Sequence, residues 1–291
     1  MAMRNIVMPI APGRYDPSSL RRAITLAKRL PCHLDVVFLL PDPKETFIYT
    51  GIEPTEQDGP LSDIRDRMED HGRSAAEASR RLFAKLRKEA GLELRQKPSL
   101  ASTASGAWHR IKGEPQEMIT PLARRADATI FTPETARYTL MADNVLEAAL
   151  LRSGRPVLYL PGEDGQQVDI SRVMIAWDGS SACVRAISAW LASGLPLQEV
   201  FLVHVADPHE DQPNSDSIRD HLAWHGVPCT VETRRKGAEP VGAVLAEAAV
   251  DLHCGLIVMG GYGHFRSWEA IFGGVTRYMI HHAQRSLFMM H

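Results

Sequence analysis

The sequence contains few cysteines, and those it has are spread along the chain. Cys32, Cys183, Cys229 and Cys254 form no C-x-x-C pair, so neither a disulfide framework nor a structural zinc site is indicated. We interpret them as buried thiols of a protein from a reducing compartment.

An excess of charge and long apolar runs are lacking as well. The chain has 33 Lys and Arg against 35 Asp and Glu, a formal net charge of -2, and so lacks the basic excess that binding to nucleic acid or to a membrane surface usually requires. No apolar stretch approaches the roughly 18 residues that span a bilayer, and the start of the chain has no signal-peptide layout. These absences predict a cytoplasmic protein, and its 291 residues suit two domains of ordinary size.

What the chain does contain is an internal repeat. Residues 4–11 resemble residues 171–178, residues 112–131 resemble residues 236–258, and residues 155–160 resemble residues 285–290. Three matches in the same order predict a duplicated unit. A polar stretch with two glycines, residues 161–167, is the expected linker, so that the domains would be residues 1–162 and 168–291.

The second half alternates short apolar runs with helical patterns. We expect strands near residues 171–177, 199–206, 229–235, 255–260 and 286–290, and helices near residues 181–193, 215–225, 239–250 and 274–283. Such alternation implies a parallel, doubly wound sheet that is covered on both faces. The first half should repeat this plan, with a longer helix over residues 61–90 that either covers the sheet or binds a partner.

A glycine-rich segment follows one of the predicted strands. Gly260-Gly261-Tyr262-Gly263 comes directly after an apolar run, and Gly273-Gly274-Val275-Thr276 follows nine residues later. A buried strand that leads into a glycine loop and then a helix favours phosphate, because backbone N–H groups face the ligand and no Cβ blocks its approach. The same glycines would also permit a tight loop that binds nothing.

With these residues the second half resembles a universal stress protein domain of the ATP-binding type, whose motif is Gly, two residues, Gly, nine residues, Gly, then Ser or Thr. Gly260, Gly263 and Gly273 fit that spacing, and Asp178 stands at the end of the first strand, where the family has an aspartate that contacts adenine. The first half resembles the family in outline. The resemblance implies a tandem universal stress protein: an α/β fold of two doubly wound domains, each a five-stranded parallel sheet with helices on both faces (adenine nucleotide alpha hydrolase-like).

The resemblance also implies a ligand, ATP with or without Mg, and roles for individual residues. Asp178 would accept from the adenine amino group, Val205 and Met259 would line the base pocket, and the glycine loop would hold the phosphates. Trp177 would flank the site or belong to the core. The implied nucleotide-binding residues are Ala176, Trp177, Asp178, Val205, Met259, Gly260, Gly263, Gly273, Gly274, Val275 and Thr276.

One position departs from the motif, since Gly274 stands where the family has Ser or Thr. The lost hydroxyl would cost about 0.5 to 1.5 kcal/mol, a threefold to tenfold loss of affinity. The N–H of Gly274 remains, and Thr276 lies two residues on at a helix N-terminus that still favours an anion. We therefore expect weaker binding rather than none.

The first half differs from the second at the corresponding positions. Our alignment places Ala11 opposite Asp178, Pro133 opposite Gly260, and Asp143-Asn144 opposite Gly273-Gly274. A carboxylate repels phosphate and a proline lacks an N–H donor. The sequence thus predicts one nucleotide site per chain, in the second half, and leaves the altered first-half pocket as a candidate for an uncharged or apolar ligand.

Other polar residues have two interpretations each. His264 and Arg266 lie inside the loop and would meet phosphates or remain solvated. His221 and His225 have the i,i+4 spacing of helical metal sites but lack an obvious third ligand, so that surface or packing roles are favoured.

We find no Walker lysine motif, no G-x-S-x-G elbow and no acid–base pair near the glycines, and therefore assign no catalytic residue and no metal ligand. The favoured function is an adenine-nucleotide-binding stress protein that acts as a switch. A nucleotide-free scaffold and a slow ATPase are the alternatives.

In the family, subunits pair through their final strands, and residues 156–160 and 287–290 should pair in the same way within this chain. A homodimer of the chain and an unknown protein partner remain open.

Overall fold

A computed structural model describes residues 2–13, 15–42, 59–99, 103–136, 143–162, 170–206, 214–262 and 274–291. Its contacts divide the chain into two compact units. The N-terminal unit is residues 4–153, and the C-terminal unit is residues 154–291 together with residues 1–3.

The N-terminal unit contains a parallel sheet in the order β3-β4-β2-β1-β5. Its strands are β1 (Asn5–Ile10), β2 (His33–Leu40), β3 (Glu93–Leu94), β4 (Ser105–Lys112) and β5 (Ala128–Phe131). Its helices are α1 (Pro17–Arg29), α2 (Gly59–Glu89), α3 (Pro115–Arg124), α4 (Pro133–Ala136) and α5 (Asp143–Arg152). The long helix predicted over residues 61–90 is α2.

The C-terminal unit contains a sheet in the order β6-β11-β10-β7-β8-β9, in which β6 alone is antiparallel to its neighbour. The strands are β6 (Val157–Tyr159), β7 (Arg172–Ala176), β8 (Glu199–Ala206), β9 (Thr230–Arg235), β10 (Leu256–Gly260) and β11 (Ser286–Met290). The helices are α6 (Ser181–Ala192), α7 (Ser215–Trp224), α8 (Val241–Asp251) and α9 (Gly274–His282).

The central strands are buried because helices cover both faces of the sheet. Residues 256–259 of β10 are all buried, as a doubly covered parallel strand requires. Side-chain caps fix where helices begin: Ser180 accepts from the Cys183 N–H at the start of α6, and Asn214 does the same for α7. The predicted α/β class and doubly wound architecture are confirmed.

The final strands of the two repeats pair. Tyr159 of β6 lies opposite Leu287 of β11, and Val157 lies opposite Met289, in antiparallel register. The family resemblance implies this pairing, which covers the outer edge of β11. It also explains why contacts assign β6 to the C-terminal unit although its sequence belongs to the first repeat. Most of the predicted linker, residues 163–167, lies outside the described residues.

No helix in the described part of the chain is both long enough and apolar enough to cross a membrane.

Candidate functional site

Several of the predicted site residues lie where the strand order of the C-terminal sheet reverses. β7 has β8 on one side and β10 on the other, and in doubly wound sheets ligands bind in the crevice outside the carboxyl ends at such a point. Asp178 follows β7 by two residues, and Gly260 ends β10. Ala176 and Met259 are neighbours in register on these two strands.

Asp178 is exposed at this edge and is held by a tight turn. Its Oδ1 accepts a hydrogen bond from the Ser180 N–H at 2.9 Å, and Gly179 between them has a φ of 74°, which favours glycine. The carboxylate therefore stands at the rim of the crevice, where the resemblance places the adenine contact.

Gly260 has a packing role that the sequence did not reveal. A Cβ at this position would lie 2.8 Å from the backbone N of Cys183 and 3.1 Å from the carbonyl carbon of Ala182. Only glycine lets the end of β10 approach the first turn of α6 so closely. Its second role, in which the missing Cβ lets the protein backbone approach the nucleotide, stays a prediction.

Cys183 is the buried residue on which Gly260 packs. Its thiol donates to the Ala176 carbonyl at 3.3 Å. Burial, and then the negative charge of Asp178, raise the pKa of the thiol to about 12. Cys183 is therefore a structural thiol at the base of the site and no nucleophile.

Tyr262 and Thr276 close the two described ends of the glycine loop. Tyr262 is a non-glycine residue with a φ of 57°, and its N–H donates to the Thr276 Oγ1 at 3.1 Å. Both residues are buried. The Thr276 oxygen accepts this bond and its O–H remains a donor, but the burial of the residue makes this hydroxyl a weaker substitute for the missing Ser or Thr at residue 274.

Gly274 begins α9 and is exposed. A Cβ at this position would meet no atom of the described residues within 4 Å, so that they leave space for a side chain although the motif residue is missing. Val275 is half-buried beside it. Gly263 and Gly273, together with His264 and Arg266, lie outside the described residues.

Of two other predicted residues, one directly follows β7 and one lies on β8. Trp177 is 8% exposed and belongs to the core, which favours the second of its two interpretations. Within the described residues its indole N–H has no hydrogen-bond partner. Val205 is half-buried near the end of β8, where extension of the β7–β8 register places it beside Asp178.

The corresponding position in the N-terminal unit is filled by its own side chains. In the N-terminal sheet Ile6 pairs with Ala128, and in the C-terminal sheet the equivalent pair is Val173 and Leu256. Counting along the strands from these pairs, the residue equivalent to Gly260 is Thr132 and not Pro133. Our sequence alignment was wrong by one residue.

Buried Thr132 donates to the Ser19 Oγ at 3.1 Å. Ser19 in turn donates to Glu134 at 2.6 Å, and Arg22 pairs with the same carboxylate oxygen at 3.2 Å. The crevice of this unit is thus occupied by a hydrogen-bonded network that includes a carboxylate.

His221 and His225 are exposed, and their rings lie 4.7 Å apart. Among the residues that the structure describes, no group of three or more His, Cys, Asp or Glu could hold a metal ion. The surface interpretation is therefore favoured. Trp224, which stands between them in the sequence, is 90% exposed, and no pattern in the sequence indicates this.

No protein-family model and no curated protein matches the sequence. Among solved structures, a universal stress protein from Archaeoglobus fulgidus DSM 4304 is similar over 98% of this chain and 95% of its own, with a TM-score of 0.62 at 14% identity. The chain has the universal stress protein fold. The resemblance stated from the residues is confirmed at the level of the fold.

Two proteins from Pseudomonas aeruginosa share this fold over the whole chain. One, from strain UCBPP-PA14 and provisionally assigned as a universal stress protein, covers 99% of this chain and 93% of its own with a TM-score of 0.54 at 17% identity. The other, of unknown function and from strain PAO1, covers 99% and 92% with a TM-score of 0.54 at 17% identity. Matches along both full lengths extend the universal stress protein fold over both halves of this chain.

Proposed function

We propose that the C-terminal unit binds ATP or another adenine nucleotide and that the chain acts as a nucleotide-dependent regulator of a stress response. The observation that carries the proposal is the meeting of Asp178, Gly260 and the N-terminus of α9 at the strand-order reversal of one sheet. An exposed carboxylate and a helix N-terminus at the carboxyl edge of one sheet suit the two ends of a nucleotide.

Each end of the ligand would meet a different kind of group. The Asp178 carboxylate accepts hydrogen bonds only, so it would take the adenine 6-amino group and disfavour the carbonyl that guanine has at the same place. The first N–H groups of α9, from Gly274 and Val275, would donate to phosphate oxygens. Met259 and Val205 supply apolar surface near the base.

The proposal includes one site per chain. In the N-terminal unit Ser19 and Arg22 are already bound to Glu134. A phosphate would have to displace that carboxylate and then lie beside its charge. The N-terminal unit would therefore remain without nucleotide.

The regulatory role follows from the kind of site. The described residues at the crevice include no base paired with a nucleophile, and Cys183 is held as a neutral thiol. Bound ATP, with Mg as its counter-ion, would instead act as a ligand that changes a surface contacted by a partner protein. This proposal places the protein in the cytoplasm, where ATP and reduced thiols are found together.

Mass spectrometry of ligands released from the purified protein, followed by calorimetry with ATP, tests the proposal. We expect one adenine nucleotide per chain, and a loss of ATP affinity of roughly tenfold in Asp178→Ala, because a hydrogen bond to a charged group is removed. Arg22→Ala, in the network of the N-terminal unit, should leave the stoichiometry unchanged.

A nucleotide-free scaffold is the second candidate, and a specific observation favours it. Gly260 and Thr276 both have packing or hydrogen-bonding roles that need no ligand. Absence of retained nucleotide, together with no heat of binding on addition of ATP and Mg, would establish the scaffold instead.

A further inference from the structure

His204 lies where two strands of the candidate site separate. The β7–β8 ladder ends at Ala176 and Val203, whereas β8 stays paired with β9 as far as Ala206. His204 is thus the first residue of β8 beyond its ladder with β7. The contact that His204 makes on the β7 side therefore bears on the path of the chain from β7 to Asp178.

The imidazole of His204 bonds to the peptide group that precedes Asp178. Its Nδ1 lies 3.2 Å from the Trp177 carbonyl oxygen, and the Trp177 N–H donates to the Val203 carbonyl at 2.8 Å. A carbonyl oxygen only accepts, so Nδ1 carries the hydrogen. Both polar backbone groups of Trp177 are therefore held from β8, one by backbone and one by the histidine ring.

The other side of Asp178 is held independently. Its Oδ1 accepts from the Ser180 N–H, which fixes the carboxylate relative to the start of α6. With Trp177 fixed from β8, Asp178 has an anchor on each side. Without the imidazole, the carbonyl that leads into Asp178 would lose the hydrogen bond that ties it to the neighbouring strand.

We propose that His204 is a positioning residue that orients Asp178 for recognition of the adenine base. This inference rests on the proposed nucleotide site and adds a residue that determines its base specificity. Asp178 would read the base, whereas the N-terminus of α9 would hold the phosphates. Substitution of His204 should therefore weaken the discrimination between bases without changing the affinity for phosphate.

Two isosteric variants separate the role of the ring nitrogens. In His204→Asn the side-chain amide nitrogen can take the place of Nδ1, whereas in His204→Gln it takes the place of Nε2. Nε2 is buried and has no hydrogen-bond partner within the described residues. Asn should therefore preserve function, while Gln should resemble His204→Leu, which has no donor at all.

The experiment measures the affinities of full-length protein and variants for ATP, GTP and inorganic tripolyphosphate by calorimetry. We expect His204→Leu and His204→Gln to lose ATP affinity by roughly fivefold to tenfold, to lose the preference for ATP over GTP by a similar factor, and to keep tripolyphosphate affinity within twofold. His204→Asn should stay close to the unsubstituted protein. Equal loss for all three ligands, or equal loss in Asn and Leu, would overturn the inference.

Amide hydrogen exchange of the ligand-free protein distinguishes a failure of this inference from a failure of the nucleotide site. The amides of Asp178 and Gly179 should exchange faster in His204→Leu and not in His204→Asn. If the unsubstituted protein bound no ATP, the proposed function would fail, while exchange would still decide whether His204 anchors Asp178. Unchanged exchange in His204→Leu would overturn the anchor itself.

Discussion

Gly260 and Cys183 approach each other so closely that a Cβ on residue 260 would lie 2.8 Å from the Cys183 backbone nitrogen. The atom in the way belongs to the backbone of the first turn of α6, which cannot move aside as a side chain can. This contact fixes the end of β10, which carries Gly260, against the start of α6, which follows Asp178 in the chain.

Gly260→Ala should therefore lower the free energy of unfolding of the protein. Overpacking of this kind typically costs about 1–3 kcal/mol, because the helix must shift away from the strand. Urea unfolding monitored by circular dichroism measures the loss.

Gly274→Ala is the matched control, since within the described part of the chain a Cβ there meets no atom within 4 Å. It should leave the free energy of unfolding unchanged or raise it slightly, as alanine is the better helix former. A Gly260→Ala variant as stable as Gly274→Ala would show that the contact between β10 and α6 is looser than described.

Gly274→Ser should restore the hydroxyl that the motif has at this position. α9 begins there, and a side chain at this position displaces none of the neighbours that the structure describes. One added hydrogen bond corresponds to about 0.5–1.5 kcal/mol, and we expect ATP affinity to rise threefold to tenfold in calorimetry.

Adenosine, which has no phosphate, provides the internal control for this variant. Its affinity should be the same in Gly274→Ser and in the unsubstituted protein. An equal gain for adenosine, or the same gain in Gly274→Ala, would mean that the effect comes from a stiffer helix and not from a bond to phosphate.

Most of the fold could be predicted because the chain is a repeat with strong periodicity. The strand predicted at residues 199–206 is Glu199–Ala206, and that predicted at residues 286–290 is Ser286–Met290. Such runs of buried apolar residues are decided by local composition. The two-residue strand β3 was not predicted, because so short a strand is defined by its neighbour β4 and not by its own residues.

The candidate site could be predicted only in part, since its residues have roles that depend on distant contacts. Sequence spacing found Asp178 and Gly260, but not that Gly260 packs on Cys183. It also misaligned Pro133 with Gly260, because the register between β1 and β5 is known only from the pairing of the two strands in the sheet. His204 was missed altogether, although it directly precedes Val205, since a bond from a side chain to a backbone carbonyl leaves no pattern in sequence.

Asp35 should make the stability of the protein depend on pH in the acid range. Its carboxylate lies 3.2 Å from the His33 Nε2 and 3.1 Å from the His109 Nε2. Burial acts to raise its pKa, but the hydrogen bonds and positive charge of the two histidines prevail and lower the pKa of Asp35 below its ordinary value. The stabilisation is therefore present above the unfolded-state pKa of about 4 and is lost as pH falls through the lower, folded-state pKa.

Asp35→Asn should lose about 1 kcal/mol of unfolding free energy at pH 7 and show a smaller further loss between pH 5 and pH 3, measured by urea unfolding across that range. Asp70→Asn is the control, because the Asp70 side chain is 77% exposed and its pairing with Arg73 contributes little. Parallel stability curves for Asp35→Asn and the unsubstituted protein would exclude a role for the histidine pair.

The four cysteines should differ in reactivity in the folded protein, in an order set by burial. Burial is the first cause that raises the pKa of Cys32 and of Cys183 to about 12 and that of Cys254 to about 11, so at pH 8 a thiol of pKa 12 is ionised in only about one molecule in ten thousand. Cys229 is half-buried and its pKa is raised as well, yet it should react first with iodoacetamide, as followed by peptide mass spectrometry. Urea-unfolded protein, in which all four should be alkylated at similar rates, is the control. Alkylation of Cys183 in the folded state as fast as Cys229 would mean that the start of α6 opens away from Gly260, because no reagent reaches this sulfur while the two remain packed.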